Sequence, residues 1–142
     1  MANGIDIRPF RSADEAGIIA LWKDVFPGEA GHNEPAAIIA RKGRVQPDLF
    51  FVAIGAGEVV GTVLAGFDGV RGWIHKLAVD PKWRRYGIAS DLMRAAERGL
   101  AAYGCAKLNL QVRTNNSDVV KFYEACGYAV EARVSLGKCL DD

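Results

Sequence analysis

The segment Leu77-Ala-Val-Asp-Pro-Lys-Trp-Arg-Arg-Tyr-Gly-Ile-Ala-Ser90 joins an apolar strand to a helix through a basic turn. Asp80-Pro81 ends the strand, and Gly87 leads into a helix that we expect to begin near Ile88. The first N–H groups of a helix have no partner inside it, and the helix dipole is positive at that end. The turn adds three cations, Lys82, Arg84 and Arg85. This layout predicts an anion site, and the first hypothesis is a phosphate-bearing cofactor.

The sequence on the N-terminal side of this segment predicts a short strand, two helices and an antiparallel meander. We expect a strand at residues 5–9, a helix capped by Ser12, and a second helix capped by Asn33 that runs to about Lys42. Residues 49–54, 59–67 and 72–79 then form three strands joined by tight turns. In the third strand regular alternation predicts two faces, one with Trp73, His75, Leu77 and Val79 and the other with Ile74, Lys76 and Ala78.

The sequence on the C-terminal side predicts two more helices and three more strands. The helix at 88–103 has an apolar stripe at helical spacing, and the strand at 107–112 should return parallel to the strand before it through a right-handed crossover. A helix at 118–126 and closing strands at 128–131 and 134–138 complete the chain. The fold class is therefore α/β (α+β), with a mixed, mostly antiparallel central sheet.

Composition restricts the class of protein. Half of the 142 residues are hydrophobic, which suits one domain over residues 1–142 with a core of its own. The formal net charge of +1 provides no overall field for nucleic acid or a membrane surface. No apolar run approaches the roughly 20 residues that span a bilayer, and no secretory signal is visible, so a cytoplasmic protein is expected.

The cysteines and histidines do not form a recognisable metal or disulfide pattern. Cys105, Cys126 and Cys139 are odd in number and include no C-x-x-C, so we expect small buried side chains rather than disulfides. The two histidines, His32 and His75, lack a ligand partner at helical spacing. No metal site is predicted.

Two signatures resemble those of the GCN5-related N-acetyltransferase (GNAT) family. The first is Gln/Arg-x-x-Gly-x-Gly/Ala after an apolar strand, and Arg84, Gly87 and Ala89 match it. The second is Asn, then Tyr seven residues later, then Gly-aromatic four residues further; Asn116, Tyr123 and Gly127-Tyr128 match it. The resemblance covers nearly the whole chain and is closest to small bacterial single-domain members.

The resemblance implies the acyl-CoA N-acyltransferase fold, with helices on both faces of the sheet and a bulged signature strand that splays from the next to open a cleft. It implies acetyl-CoA as the donor, with the pyrophosphate on backbone N–H groups of the turn and the pantetheine arm on the backbone of Leu77 and Val79. Asn116 would bind the arm, cap a helix, or do both. The implied cofactor-binding residues are Leu77, Ala78, Val79, Arg84, Arg85, Tyr86, Gly87, Ile88, Ala89, Ser90, Asn116 and Tyr123.

The resemblance also implies the catalytic groups. Tyr123 would be the general acid, unless it serves only as a core aromatic, and the N–H of Leu77 would stabilise the thioester oxygen. Many family members carry a glutamate base on the signature strand, but Trp73-Ile-His-Lys-Leu77 has no carboxylate. His75 is the titratable candidate there. Asp68 or Glu29 acting through water, or no dedicated base at all, are the alternatives.

The expected reaction is acetyl transfer to a primary amine by direct attack, with an acceptor that the sequence does not identify. The acceptor is a protein N-terminal or side-chain amine, or a small amine. The competing hypothesis is a non-catalytic acyl-CoA-binding sensor. The protein is expected to be a monomer or a homodimer.

Overall fold

The computed structural model describes residues 4–141, which divide into two units. The larger unit ends at Leu110 and contains the sheet, and the smaller begins at Gln111 and contains one helix. The organisation as one domain therefore stays a prediction. Among the described residues, no helix combines the length and apolar character that crossing a membrane requires.

The sheet has five strands in chain order: β1 (Asp6–Pro9), β2 (Phe50–Gly55), β3 (Glu58–Phe67), β4 (Gly72–Val79) and β5 (Leu108–Leu110). The first four pair antiparallel, and β4 pairs parallel with β5. Tight turns join β2 to β3 and β3 to β4, whereas the parallel pair is joined through a helix. The predicted mixed, mostly antiparallel sheet is confirmed.

The described residues contain four α-helices: α1 (Glu15–Val25), α2 (Pro35–Lys42), α3 (Ile88–Ala102) and α4 (Ser117–Ala125). Two predicted caps are wrong. Glu34, rather than Asn33, caps α2, and its carboxylate accepts from the N–H groups of Ala36 and Ala37 at 3.1 and 3.0 Å. Ser12 makes no cap; it opens a short 3₁₀ turn before α1. Pro35 explains the first difference, because proline at the first helical position leaves the next two N–H groups for the residue before it.

Helices cover both faces of the sheet, as expected. On one face, Trp22 of α1 packs in a cluster with Phe50 of β2 and Leu64 of β3. On the other face, α3 lies so close to β3 that a Cβ on Gly61 would meet Leu92 at 3.0 Å. Glycine at this position therefore brings the beginning of α3 directly against the middle of the sheet.

A β-bulge interrupts β4. Leu64 of β3 lies opposite His75, but Thr62 lies opposite Ala78, so Val63 faces two residues, Lys76 and Leu77. Directly opposed residues share a face, and an extra residue shifts the alternation. His75 and Ala78 consequently lie on the face covered by α1. The predicted strict alternation of β4 is wrong beyond His75.

The predicted closing strands at 128–131 and 134–138 are also wrong. The described residues beyond Ala125 contain no strand, and β5 is only three residues long. Val130, Val134, Leu136 and Leu140 are exposed, so their alternation does not correspond to a buried face. Cys139 is exposed as well, and Cys105 and Cys126 are only half-buried, contrary to the expectation of buried cysteines.

Candidate functional site

The candidate site begins at the open half of β4. The parallel pairing of β4 with β5 covers residues 72–74 and ends at Ile74. From His75 to Val79 the strand keeps β3 on one side, while β5 does not follow it on the other. Backbone groups of Leu77, Ala78 and Val79 thus lie where an extended ligand with amide groups can pair with them. The splaying that the resemblance implies requires such an unpaired half of the strand.

The turn after β4 leads to the N-terminus of α3. Gly87 precedes the helix with φ +74°, a left-handed conformation that glycine adopts without steric strain. The first backbone bond of the helix runs from the N–H of Asp91 to the carbonyl of Gly87 at 3.0 Å. The N–H groups of Ile88, Ala89 and Ser90 therefore precede the helical ladder and point out of its positive end.

The cations of the turn are placed to reinforce this end of the helix. Arg84, Arg85 and Tyr86 are exposed, and Asp80 fixes the start of the turn by accepting from the N–H of Lys82 at 2.9 Å. Exposed guanidinium groups beside a row of helix N–H groups suit a pyrophosphate. The residues present therefore fit the donor that the resemblance implies.

His75 lies on the α1 face of β4, with its side chain accessible to solvent. Partial burial of the imidazole lowers its pKa, and the ammonium groups of Lys42 and Lys76 lower it further. A lowered pKa keeps the ring neutral at pH 7, the form that accepts a proton.

The two carboxylates that sequence reasoning offered as alternative bases are already engaged. Asp68 accepts from the N–H groups of Val70 and Arg71, both at 2.8 Å, and these bonds, that of Arg71 first, lower its pKa. Glu29 lies 3.8 Å from the ammonium of Lys76. An imidazole with a lowered pKa is better suited than the Asp68 carboxylate, whose pKa is also lowered, to act as a base near neutral pH.

Asn116 and Tyr123 belong to the smaller unit. Asn116 is exposed and precedes α4, but its side chain makes no capping hydrogen bond. Tyr123 is 8 % exposed, and its ring lies 5.1 Å from that of Phe122 and 5.8 Å from that of Tyr128. Burial raises the pKa of Tyr123 to about 12, and Cys126 contributes. Tyr123 therefore retains its proton across the neutral range, as a proton donor must, and the amide of Asn116 is not committed to a helix cap.

The larger unit also has two open clefts. One, of about 570 Å³, runs between β1 and α3, and the other, of about 460 Å³, lies between α1 and the β2–β3 hairpin. Neither is lined by a residue of the predicted site. The candidate site is instead a strand edge that β5 leaves unpaired, followed by a helix end.

Sequence reasoning missed a buried residue whose side chain hydrogen-bonds to the bulge. Thr62 is fully buried, yet it lies within the apolar run of β3. A buried hydroxyl is almost always hydrogen-bonded. A threonine within an apolar strand therefore predicts a buried hydrogen bond, and this was the sequence signal that could have identified Thr62.

Comparison with known proteins shows which family the chain belongs to. The model of the Acetyltransferase (GNAT) family matches residues 16–128. An acetyltransferase of Sodalis glossinidius is 42% identical over 134 residues, which cover 93% of this chain and 92% of that protein. An acetyltransferase of Pectobacterium atrosepticum is 41% identical over 138 residues, 96% of each chain.

Solved structures share the fold. Ard1 from Thermoplasma volcanium superposes with a TM-score of 0.81 at 27% identity, covering 91% of this chain and 85% of its own. The aminoglycoside N-acetyltransferase AAC(6')-Iy in complex with CoA gives a TM-score of 0.78 at 22% identity, covering 96% and 95%. Because the family model spans most of the chain and these relatives align along nearly all of it, the chain belongs to the Acetyltransferase (GNAT) family and is an acetyltransferase.

Proposed function

We propose that this enzyme transfers the acetyl group of acetyl-CoA to a primary amine by direct attack on the thioester. The observation that carries the proposal is the continuity of Leu77–Ser90, in which an open strand edge leads through a basic turn to the end of a helix. A pantetheine arm requires backbone partners, and a pyrophosphate requires N–H groups and cations. One segment offers both in the order in which they occur in coenzyme A.

The binding roles follow from the chemistry of each group. The backbone of Leu77, Ala78 and Val79 pairs with the amides of the arm, and the turn from Arg84 to Ser90 binds the pyrophosphate. Gly87 and Ala89 keep side-chain bulk away from the anion. The amide of Asn116 binds the arm.

The reaction requires three proton and charge adjustments. The amine nitrogen bonds to the thioester carbon, and the oxygen of that carbon becomes an oxyanion that accepts from the N–H of Leu77. The nitrogen gives up a proton to His75, directly or through water. Collapse of the intermediate breaks the C–S bond, and the departing thiolate takes a proton from Tyr123, whose phenolate is later reprotonated from solvent.

The raised pKa of Tyr123 affects the last of these steps. A pKa of about 12 stands about 3.5 units above that of a free thiol near 8.5, so the transfer is uphill by roughly 5 kcal/mol. The pKa of a thiol that is shielded from water is raised for the same reason, because burial disfavours the thiolate. In such a site the pKa of coenzyme A lies closer to that of Tyr123. Burial therefore keeps the acid protonated without preventing it from donating.

The pKa of the acceptor separates the acceptor classes. An α-amine with a pKa near 8 is roughly 10% unprotonated at pH 7, whereas a lysine side chain near 10.4 is less than about 0.1% unprotonated. A site that relies on one exposed imidazole has the easier task with an α-amine or a small amine of low pKa.

A thiol-release assay tests the proposal. Acetyl-CoA is offered with a peptide bearing a free α-amine, with the same peptide blocked at its N-terminus and carrying a lysine, and with an aminoglycoside and a polyamine. We expect thiol release with at least one acceptor, and the mass of one acetyl group added to that amine. Saturable binding of acetyl-CoA without release for any acceptor would instead favour the acyl-CoA sensor.

A further inference from the structure

A buried hydrogen-bond relay runs from α1 through β3 to the bulge in β4. The indole Nε1–H of Trp22 donates to Oγ1 of Thr62 at 2.9 Å, and the hydroxyl of Thr62 donates to the carbonyl oxygen of Lys76 at 2.9 Å. Trp22 is 1% exposed and Thr62 is 0% exposed. Such bonds, shielded from water, hold their partners in one orientation.

The carbonyl that ends this relay belongs to the peptide group that contributes the N–H of Leu77. The described residues contain no cis peptide bond, and in a trans peptide the C=O and the N–H point in opposite directions. Thr62 holds the carbonyl of Lys76 towards β3. The N–H of Leu77 therefore points away from Thr62 and from β3.

This peptide needs support from outside its own strand. Lys76 has φ +53°, and a residue other than glycine in that region carries roughly 1–2 kcal/mol of strain. Its side chain is also held, with the ammonium 4.5 Å from the ring centroid of Phe26 and 3.8 Å from a carboxylate oxygen of Glu29. Relay and side-chain contacts together maintain a backbone conformation that is intrinsically unfavourable.

We propose that Thr62 is a positioning residue for catalysis, whose hydroxyl fixes the Lys76–Leu77 peptide so that the N–H of Leu77 meets the oxyanion. This inference rests on the proposed function, since it requires the N–H of Leu77 to face the thioester. Donors to an oxyanion act through preorganisation, and a donor that must turn into place loses much of its effect.

A purely structural role for Thr62 makes a different prediction. In that role Thr62 serves only as the acceptor for the indole of Trp22. Replacing either Trp22 or Thr62 would then lower the stability of the fold to a similar degree and leave kcat unchanged. The positioning role requires the hydroxyl as a donor to Lys76. It survives the loss of the indole, because the hydroxyl of Thr62 remains free to donate.

Three variants separate these roles. Thr62→Val keeps the shape of the side chain but removes the donor; we expect kcat to fall about 10- to 100-fold, with the KM for acetyl-CoA within about twofold of the unsubstituted enzyme. Thr62→Ser should recover kcat to within about threefold. Trp22→Phe should lower the melting temperature at least as much as Thr62→Val, yet retain kcat within about threefold.

The backbone amide resonance of Leu77 provides a second measurement. In the unsubstituted enzyme and in Thr62→Ser we expect acetyl-CoA to shift this resonance, and in Thr62→Val we expect the shift to be lost. Unchanged kcat in Thr62→Val, or losses of kcat that follow stability in all three variants, would overturn the inference. If the unsubstituted enzyme releases no thiol, the proposed function fails, and the amide resonance still decides whether Thr62 orients the peptide.

Discussion

Tyr123 illustrates at the scale of one residue how burial changes chemistry. The same packing against Phe122 and Tyr128 that suits a core aromatic raises the pKa of its hydroxyl to about 12. A core position and a proton-donating role are therefore compatible. Packing in the core uses the aromatic ring, whereas proton donation uses only the hydroxyl group.

Replacing Tyr123 with phenylalanine should remove that oxygen and little else. We expect kcat to fall about 10²- to 10⁴-fold, the usual contribution of a positioned acid, with little change in the dissociation constant of acetyl-CoA. Tyr103→Phe is the control. Tyr103 directly follows α3, its hydroxyl donates to the carboxylate of Asp48, and it lies outside the proposed site. Steady-state kinetics and calorimetry check the pair; equal turnover in both variants would refute the assignment of the acid.

His75 should be recognisable from the pH dependence of kcat/KM. Below the pKa of the acceptor amine, log(kcat/KM) rises with pH at a slope of one. His75 accepts a proton only when neutral, so a second unit of slope should appear below its own pKa, which lies under the usual 6.5. In His75→Gln we expect the slope to stay at one throughout. A profile that is identical in both enzymes would mean that His75 is not the base.

At the scale of the element, the N-terminus of α3 depends on a left-handed glycine. Gly87→Ala introduces strain of roughly 1–2 kcal/mol and a methyl group beside the N–H groups proposed to bind the pyrophosphate. We expect the KM for acetyl-CoA to rise about tenfold, together with a lower melting temperature.

The other end of α3 supplies a matched control. Gly104 has φ +87°, and, as at Gly87, an added Cβ would meet no atom within 4 Å. Gly104→Ala should lower the melting temperature to a similar degree and leave the KM unchanged. A rise in KM in both variants would show that the effect comes from general destabilisation rather than from the anion site.

What could be predicted from the sequence differs by element. Arg84, Gly87 and Ala89 lie within six consecutive residues, so their signature can be recognised from the sequence alone. The strands of the meander were predictable for the same reason, because apolar runs and turn residues are local signals.

The bulge in β4 and the absence of closing strands at 128–131 and 134–138 could not be predicted from local sequence. The position of the extra residue depends on how β4 aligns with β3, which no window of one strand contains. The alternation of Val134 and Leu136 predicted a strand, but a strand also requires a partner, and the described structure provides none for these residues. Local pattern is necessary for such an element and not sufficient.

At the scale of the whole molecule, binding should appear as stability. A ligand at about 100 times its dissociation constant stabilises the folded state by about 2.7 kcal/mol. For a chain of 142 residues this corresponds to a rise in melting temperature of roughly 5–10 °C.

The pyrophosphate should contribute much of this rise. Acetyl-pantetheine retains the thioester and the arm but lacks the group that we assign to Arg84–Ser90, so it should give a clearly smaller shift at equal concentration. Thermal denaturation followed by circular dichroism measures both. Equal shifts from the two compounds would contradict the assignment of the turn.

The bulge in β4 also has an evolutionary consequence. Loss of the three nucleotides that encode Lys76 would leave Leu77 alone opposite Val63, with Ala78 still opposite Thr62 and Val79 still opposite Gly61. The strand would become regular and its core partners would stay in register, but the outward-turned peptide would disappear. One short deletion would thus keep the sheet and remove the proposed oxyanion donor, and we expect the product to bind acetyl-CoA without transferring its acetyl group.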